Sequence, residues 1–132
     1  MTVYVDTSAL FAVLDRDDSN HNRAKAIWTD LIEADTVLCC SNYVVVECCA
    51  LIQRRLGAKA LRVFLEDMSP VLTVEWIAQE RHQAAVQILL HMRSRTVSLV
   101  DCVSFVVMRD LGMDRAFVFD KHFVREGFKC IG

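Results

Sequence analysis

Proline and glycine are scarce: one Pro, Pro70, and four Gly in 132 residues. No Ser/Gly-rich linker, internal repeat or low-complexity tract divides the chain, so a single domain over residues 1–132 is expected. Long apolar runs are missing too. The longest stretches without formal charge, Thr36 to Val46 and His82 to Met92, fall well short of the roughly 20 residues of a membrane-spanning helix. Met1 to Asp6 has no basic segment before an apolar one, so no export signal is read there, and a cytoplasmic protein without membrane contact is expected. Basic charge is not in excess: 15 Lys and Arg face 17 Asp and Glu, a formal charge of −2. That excludes a histone-like polycation, and any nucleic-acid contact must come from local clusters. C-x-x-C spacing is absent among Cys39, Cys40, Cys48, Cys49, Cys102 and Cys130, which excludes a zinc ribbon. All but Cys130 lie in mostly apolar runs and read as buried, reduced thiols.

What is present is apolar: 54% of residues, with a mean hydropathy of +0.29, which excludes intrinsic disorder. Short β-rich runs alternate with longer helical ones. Val3-Tyr4-Val5, ending at Asp6, has the look of a strand buried on both faces. A helix is expected from about Ala9 to Leu14, with Thr7 or Ser8 as its cap, and a second one up to about Ala34. Strands at Val37 to Cys40, Val71 to Trp76, Ala116 to Phe119 and Phe128 to Ile131 follow. Between them lie helices from Ser41 or Asn42 to Leu56, around Leu61 to Met68, from Ala78 to Arg93, and from Ser98 to just before Gly112. The last of these is apolar nearly all round and should be central. This alternation predicts an α/β domain with a mostly parallel sheet and right-handed crossovers.

Four acids stand in apolar surroundings: Asp6 and Asp120 at strand ends, Glu47 among Val44 to Cys49, and Asp101 among Leu99 to Val103. A buried carboxylate costs several kcal/mol unless it is paired, hydrogen-bonded or bound to a metal. Ligands of open parallel sheets gather at the carboxyl ends of strands, where all four acids can converge. Their mutual repulsion there would be relieved by hard, oxygen-seeking cations such as Mg²⁺ or Mn²⁺. Each acid also has a local alternative. Asp6 can cap a helix, Asp101 can form a capping box with Ser98, Glu47 can pair with Arg54 or Arg55, and Asp120 can cap the turn at Lys121-His122. Ser104 can simply bond its own backbone.

Asp6-Thr7-Ser8-Ala9-Leu10, Asn42 to Glu47, Ser98 to Phe105, and Phe119-Asp120-Lys121-His122-Phe123 with Gly127-Phe128 together resemble the four motifs of PIN-domain nucleases, in order and spacing. The chain's size resembles the VapC-like toxin subgroup. The resemblance implies a three-layer α/β/α sandwich with a sheet of about five strands in the order 3-2-1-4-5. It also implies Mg²⁺- or Mn²⁺-dependent hydrolysis of RNA phosphodiester bonds. Asp6, Glu47 and Asp101 become the core metal-binding acids, Asp120 a fourth and more variable one, and Ser8 and Ser104 hydroxyls near the metal. It further implies an antitoxin protein as partner.

RNA phosphates require cations, and Arg54, Arg55, Lys121, His122 and Arg125 are the candidates, with solvated faces as the plain alternative. No Ser-His or Cys-His arrangement suggests a covalent nucleophile. The second Asp that a phosphoaspartate phosphatase needs is replaced by Ser8, and a response receiver would need an acidic pair that the start lacks. A non-catalytic PIN-like binding scaffold and a housekeeping RNA-processing nuclease stay open at this point. Trp28, Phe11, Phe64 and Trp76, read as partly exposed, point to a homodimer or a peptide groove.

Overall fold

A computed structural model describes all residues, 1–132. Its centre is one all-parallel sheet in the order β3-β2-β1-β4-β5, with β1 at Thr2–Val5, β2 at Val37–Ser41, β3 at Leu72–Glu75, β4 at Arg115–Phe117 and β5 at Lys129–Ile131. Tyr4 registers with Cys39 on one side and with Ala116 on the other. Chain order runs outward in one direction from β1 to β3 and in the other from β4 to β5, so the order reverses between β1 and β4. That crevice is where such sheets take ligands.

Seven helices cover the sheet: α1 (Thr7–Leu14), α2 (His21–Glu33), α3 (Asn42–Arg55), α4 (Ala58–Val63), α5 (Gln79–Met92), α6 (Leu99–Asp110) and α7 (His122–Arg125). Right-handed crossovers place α1 to α4 on one face and α5 to α7 on the other. Val3, Tyr4 and Val5 are fully buried between the two layers. In α6 every residue from Asp101 to Met108 is buried, as its all-round apolar character predicts. Ser41 caps α3 through its side chain, and Gly57 ends the following turn at φ +92°, a conformation that favours glycine.

Several boundaries differ from the sequence reading. The first helix begins at Thr7, because Asp6 rather than Thr7 or Ser8 supplies the cap. The helix around Leu61 to Met68 is not uniform: α4 gives way to a wider π-turn at Phe64–Met68 and a 3₁₀ turn at Ser69–Val71 around Pro70. The fourth strand stops at Phe117 instead of Phe119. Val118 N–H still bonds the Ile131 carbonyl at 3.1 Å, but Phe119 N–H turns to the Ser8 hydroxyl. Of the four aromatics read as partly exposed, Phe11 and Phe64 are buried in the core; Trp76 is 76% exposed. No helix is long and apolar enough to cross a membrane.

Candidate active site at the carboxyl edge of the sheet

Asp6 follows β1 directly, and its backbone N–H donates to the Phe117 carbonyl at 3.0 Å, fixing it against β4. Its Oδ2 accepts from Ser8 N–H at 3.1 Å and from Ser8 Oγ at 2.7 Å. The Ser8 hydroxyl in turn accepts from Phe119 N–H at 3.0 Å. Ser8 therefore joins the Asp6 carboxylate to the segment leading from β4 to Asp120. Asp6 is 4% exposed, and burial pushes its carboxyl up to about 7. The Ser8 bonds oppose the rise, while the charges of Asp101 and Glu47 add to it.

Asp101 and Ser98 form a capping box at the start of α6. Asp101 Oδ2 accepts from Ser98 N–H at 3.0 Å, and Ser98 Oγ accepts from Asp101 N–H at 3.1 Å. Burial raises the Asp101 carboxyl above the usual carboxylate range; the Ser98 bonds lower it, and Asp120 and Glu47 raise it further. Asp120 Oδ1 accepts from His122 N–H at 2.9 Å, with His122 Nε2 3.7 Å away. Glu47, half-buried in the second turn of α3, makes no ion pair with Arg54 or Arg55. The local alternatives for Asp6, Asp101 and Asp120 are thus present as geometry, and the one for Glu47 is not.

The four carboxylates share one rim and feel one another's charge, yet no three His, Cys, Asp or Glu side chains are drawn together at metal-ligand spacing. Their oxygens are divided in a regular way. Asp6, Asp101 and Asp120 each use one oxygen in a cap and leave the other without a protein donor, and Glu47 leaves both. The only buried side-chain oxygen or nitrogen without a partner is Thr7 Oγ1, so the free carboxylate oxygens reach solvent. An all-carboxylate set of free, accessible oxygens fits a hard divalent cation.

Ser104 is placed elsewhere. It is fully buried, bonding the Val100 carbonyl at 3.1 Å and the Tyr4 hydroxyl at 2.7 Å, and so props the core beneath the rim. Arg54 and Arg55 are exposed at the end of α3, and Lys121 and Arg125 are exposed around α7. Two partners escaped the sequence reading. The Tyr43 hydroxyl bonds His82 Nδ1, linking α3 to α5, and Asn42 Oδ1 accepts from Ile77 N–H at 2.8 Å. The i, i+4 spacing of Tyr43 and Glu47 was visible; His82, far off in sequence, carried no local signal.

A cleft of about 350 Å³ opens beside Glu47, lined by Asn42, Tyr43, Val46, Glu47, Ala50 and Val100. A larger hollow of about 450 Å³ lies by the starts of β1 and β2 and holds none of the four acids.

An acid-lined crevice between β1 and β4 of a 3-2-1-4-5 sheet is the arrangement that the resemblance in the four sequence motifs implies. The PIN domain family matches residues 3–129, and the chain belongs to it. It is 33% identical over 127 residues to the 23S rRNA-specific endonuclease VapC20 of Mycobacterium tuberculosis, covering 96% of this chain and 95% of that protein. The crystal structure of VapC20, described as a Sarcin-Ricin loop cleaving toxin, superposes with a TM-score of 0.83. The fold is shared with FitAcB from Neisseria gonorrhoeae (TM-score 0.71, 15% identity, 100% and 97% of the two chains). It is also shared with VapBC2 from Rickettsia felis bound to a DNA fragment (0.71, 9% identity, 99% and 98%).

Proposed function

We propose that residues 1–132 act as one catalytic unit, an endoribonuclease that hydrolyses RNA phosphodiester bonds with Mg²⁺ or Mn²⁺ and serves as the toxin of a toxin–antitoxin pair. The observation that carries this reading is the rim of four carboxylates, each with a free, solvent-reaching oxygen, at the switch point of the sheet. The relationship to VapC20, a named endonuclease, supports RNA as substrate. The fold shared with structures named VapBC, from Rickettsia felis and Salmonella typhimurium, supports an antitoxin partner.

Asp6, Glu47, Asp101 and Asp120 are the residues that would hold the metal. A divalent cation there would polarise a phosphoryl oxygen, activate water and stabilise the leaving oxygen. Ser8 fixes the direction of the Asp6 carboxylate, and the capping box fixes that of Asp101, so neither must be reoriented during turnover. Arg54, Arg55, Lys121, His122 and Arg125 supply donors for backbone phosphates on either side. Six free thiols fit a reducing, cytoplasmic setting, and exposed Trp76 fits a homodimer.

One observation favours the non-catalytic scaffold: three of the four acids are engaged in caps. Incubating the protein with single-stranded RNA and Mg²⁺ or Mn²⁺, with chelator as control, separates the two readings. The nuclease reading expects metal-dependent cleavage that Asp6→Asn and Asp101→Asn abolish. Cleavage that survives both substitutions, or none at any metal concentration, overturns it.

A further inference from the structure

The cleft beside Glu47 is continuous with the acid rim, and the rim chemistry leaves it unexplained. Its walls are the Tyr43 ring, Val46, Ala50 and Val100; Val46 is 66% exposed. Its volume, about 350 Å³, falls at the small end of ligand clefts and suits one planar group. The Tyr43 ring is not free to swing, because its hydroxyl is tied to His82 of α5. Asn42 must turn its carbonyl oxygen to the Ile77 N–H, which leaves its amide hydrogens without a protein partner. On α3, Tyr43, Glu47, Ala50 and Arg54 follow one another at helical spacing along a single stripe. Arg54 lies roughly 10 Å beyond Glu47 at the rise of a helix, is exposed, and has no carboxylate partner.

We propose that this cleft is a nucleobase subsite: the base next to the scissile phosphate stacks on Tyr43 and lies against Val46, Ala50 and Val100, with Asn42 offering hydrogens to its edge and Arg54 meeting a phosphate further along the strand. The proposal rests on the nuclease reading and deepens it, because it predicts selection of a base flanking the cut. A stack on a fixed aromatic ring is sequence-tolerant by itself; the Asn42 donors add preference for an edge that presents a carbonyl, as G and U do, over one that presents an amino group, as A and C do. His82 is a positioning residue, acting only through the Tyr43 hydroxyl.

The test uses the full chain, a random-sequence single-stranded RNA pool with Mn²⁺, and sequencing of the cut ends. Three variants are compared: Tyr43→Leu removes the ring, Ala50→Phe fills the cleft from an exposed helix position, and Tyr43→Phe keeps the ring without its bond to His82. The expected result is a base preference at one flanking position that Tyr43→Leu and Ala50→Phe flatten, with KM rising roughly ten-fold and kcat changed far less. Tyr43→Phe should keep the same preferred base but weaken the preference, because the ring is no longer held by His82. A second arm measures binding of 2′-O-methyl oligonucleotides without metal, where no cleavage is needed. There Tyr43→Leu and Ala50→Phe should each weaken Kd by a similar factor. An unchanged preference and unchanged Kd in folded Ala50→Phe overturn the subsite. A variant that alters only self-association, with Kd intact, overturns it in favour of a second copy in the cleft. If the unmodified protein cuts no RNA yet both variants weaken binding, the nuclease reading fails, and with it the place of the base beside a scissile phosphate, while base binding in the cleft stands.

Discussion

Replacing Asp6 by Asn should make the metal-free protein more stable, and the gain should depend on pH in one direction. Burial and the charges of Asp101 and Glu47 push the Asp6 carboxyl from 3.8 up to about 7. The folded protein therefore holds a proton at Asp6 that the unfolded chain has already released. Below about pH 4 both states are protonated there and no penalty exists. Between about pH 4 and 7 the penalty grows, and above 7 it is complete. At about 1.4 kcal/mol per pH unit the full penalty is roughly 4 kcal/mol. Asparagine caps helices about as well as aspartate, and its carbonyl oxygen accepts the two Ser8 bonds unchanged. Losing the charge on those bonds takes back part of the gain, so Asp6→Asn should gain roughly 2–4 kcal/mol at pH 8 and almost nothing at pH 4. At the former pH the melting temperature should rise by about 10 °C. Urea unfolding in chelator at pH 4, 6 and 8 and constant ionic strength measures this. An equal effect at pH 4 and pH 8, or a loss of stability at pH 8, refutes the reasoning.

Millimolar Mn²⁺ or Mg²⁺ should raise the melting temperature of the unmodified protein by mass action and leave Asp6→Asn largely unmoved; identical curves with and without metal count against a cation at the rim. Asp101→Asn should keep the capping box geometry yet gain stability at neutral pH in chelator, since its carboxyl is also raised; a loss at pH 7 would reduce Asp101 to a cap. Ser8→Ala strips the Asp6 carboxylate of one bond and the Phe119 N–H of its acceptor, and chemical denaturation should show a cost of about 1–3 kcal/mol. Thiol titration of the denatured protein should count all six cysteines, while in the native state Cys49 and Cys130, the two partly exposed ones, should label first; early labelling of Cys40 or Cys48 would contradict their burial.

What was legible in the sequence was what is decided locally. Val3-Tyr4-Val5 reads as a strand because nothing polar interrupts it until Asp6. Ser98 and Asp101 read as a capping box because their partnership spans three residues. The sheet order came from the family resemblance, and the register pairs confirm it. The illegible parts depend on groups distant in sequence. The fourth strand ends early because a hydroxyl 111 residues away captures the Phe119 N–H. Ser104 turns into the core because Tyr4, 100 residues away, offers its hydroxyl there. The Tyr43–His82 bond leaves no trace in local pattern, since its partners are 39 residues apart.

Capping and metal binding looked like competing explanations of the acids, but the geometry makes them parts of one device. A carboxylate has two oxygens. At Asp6, Asp101 and Asp120 a nearby backbone N–H takes one of them at 2.9–3.1 Å, and the other is left toward solvent. The capping bond supplies a donor that helps offset the cost of burying the charge, and it fixes the side chain's rotamer. Burial of the charges so fixed raises the Asp6 and Asp101 carboxyls, and the neighbouring acids add to the rise. At neutral pH folding thus bears a destabilisation that a neutralising cation would remove. A set of acids used solely as caps would gain nothing from sharing one rim, because each cap works alone. Three caps and a fourth, uncapped glutamate gathered at the switch point of the sheet are what a site needs when its ligands must be rigid before the cation arrives.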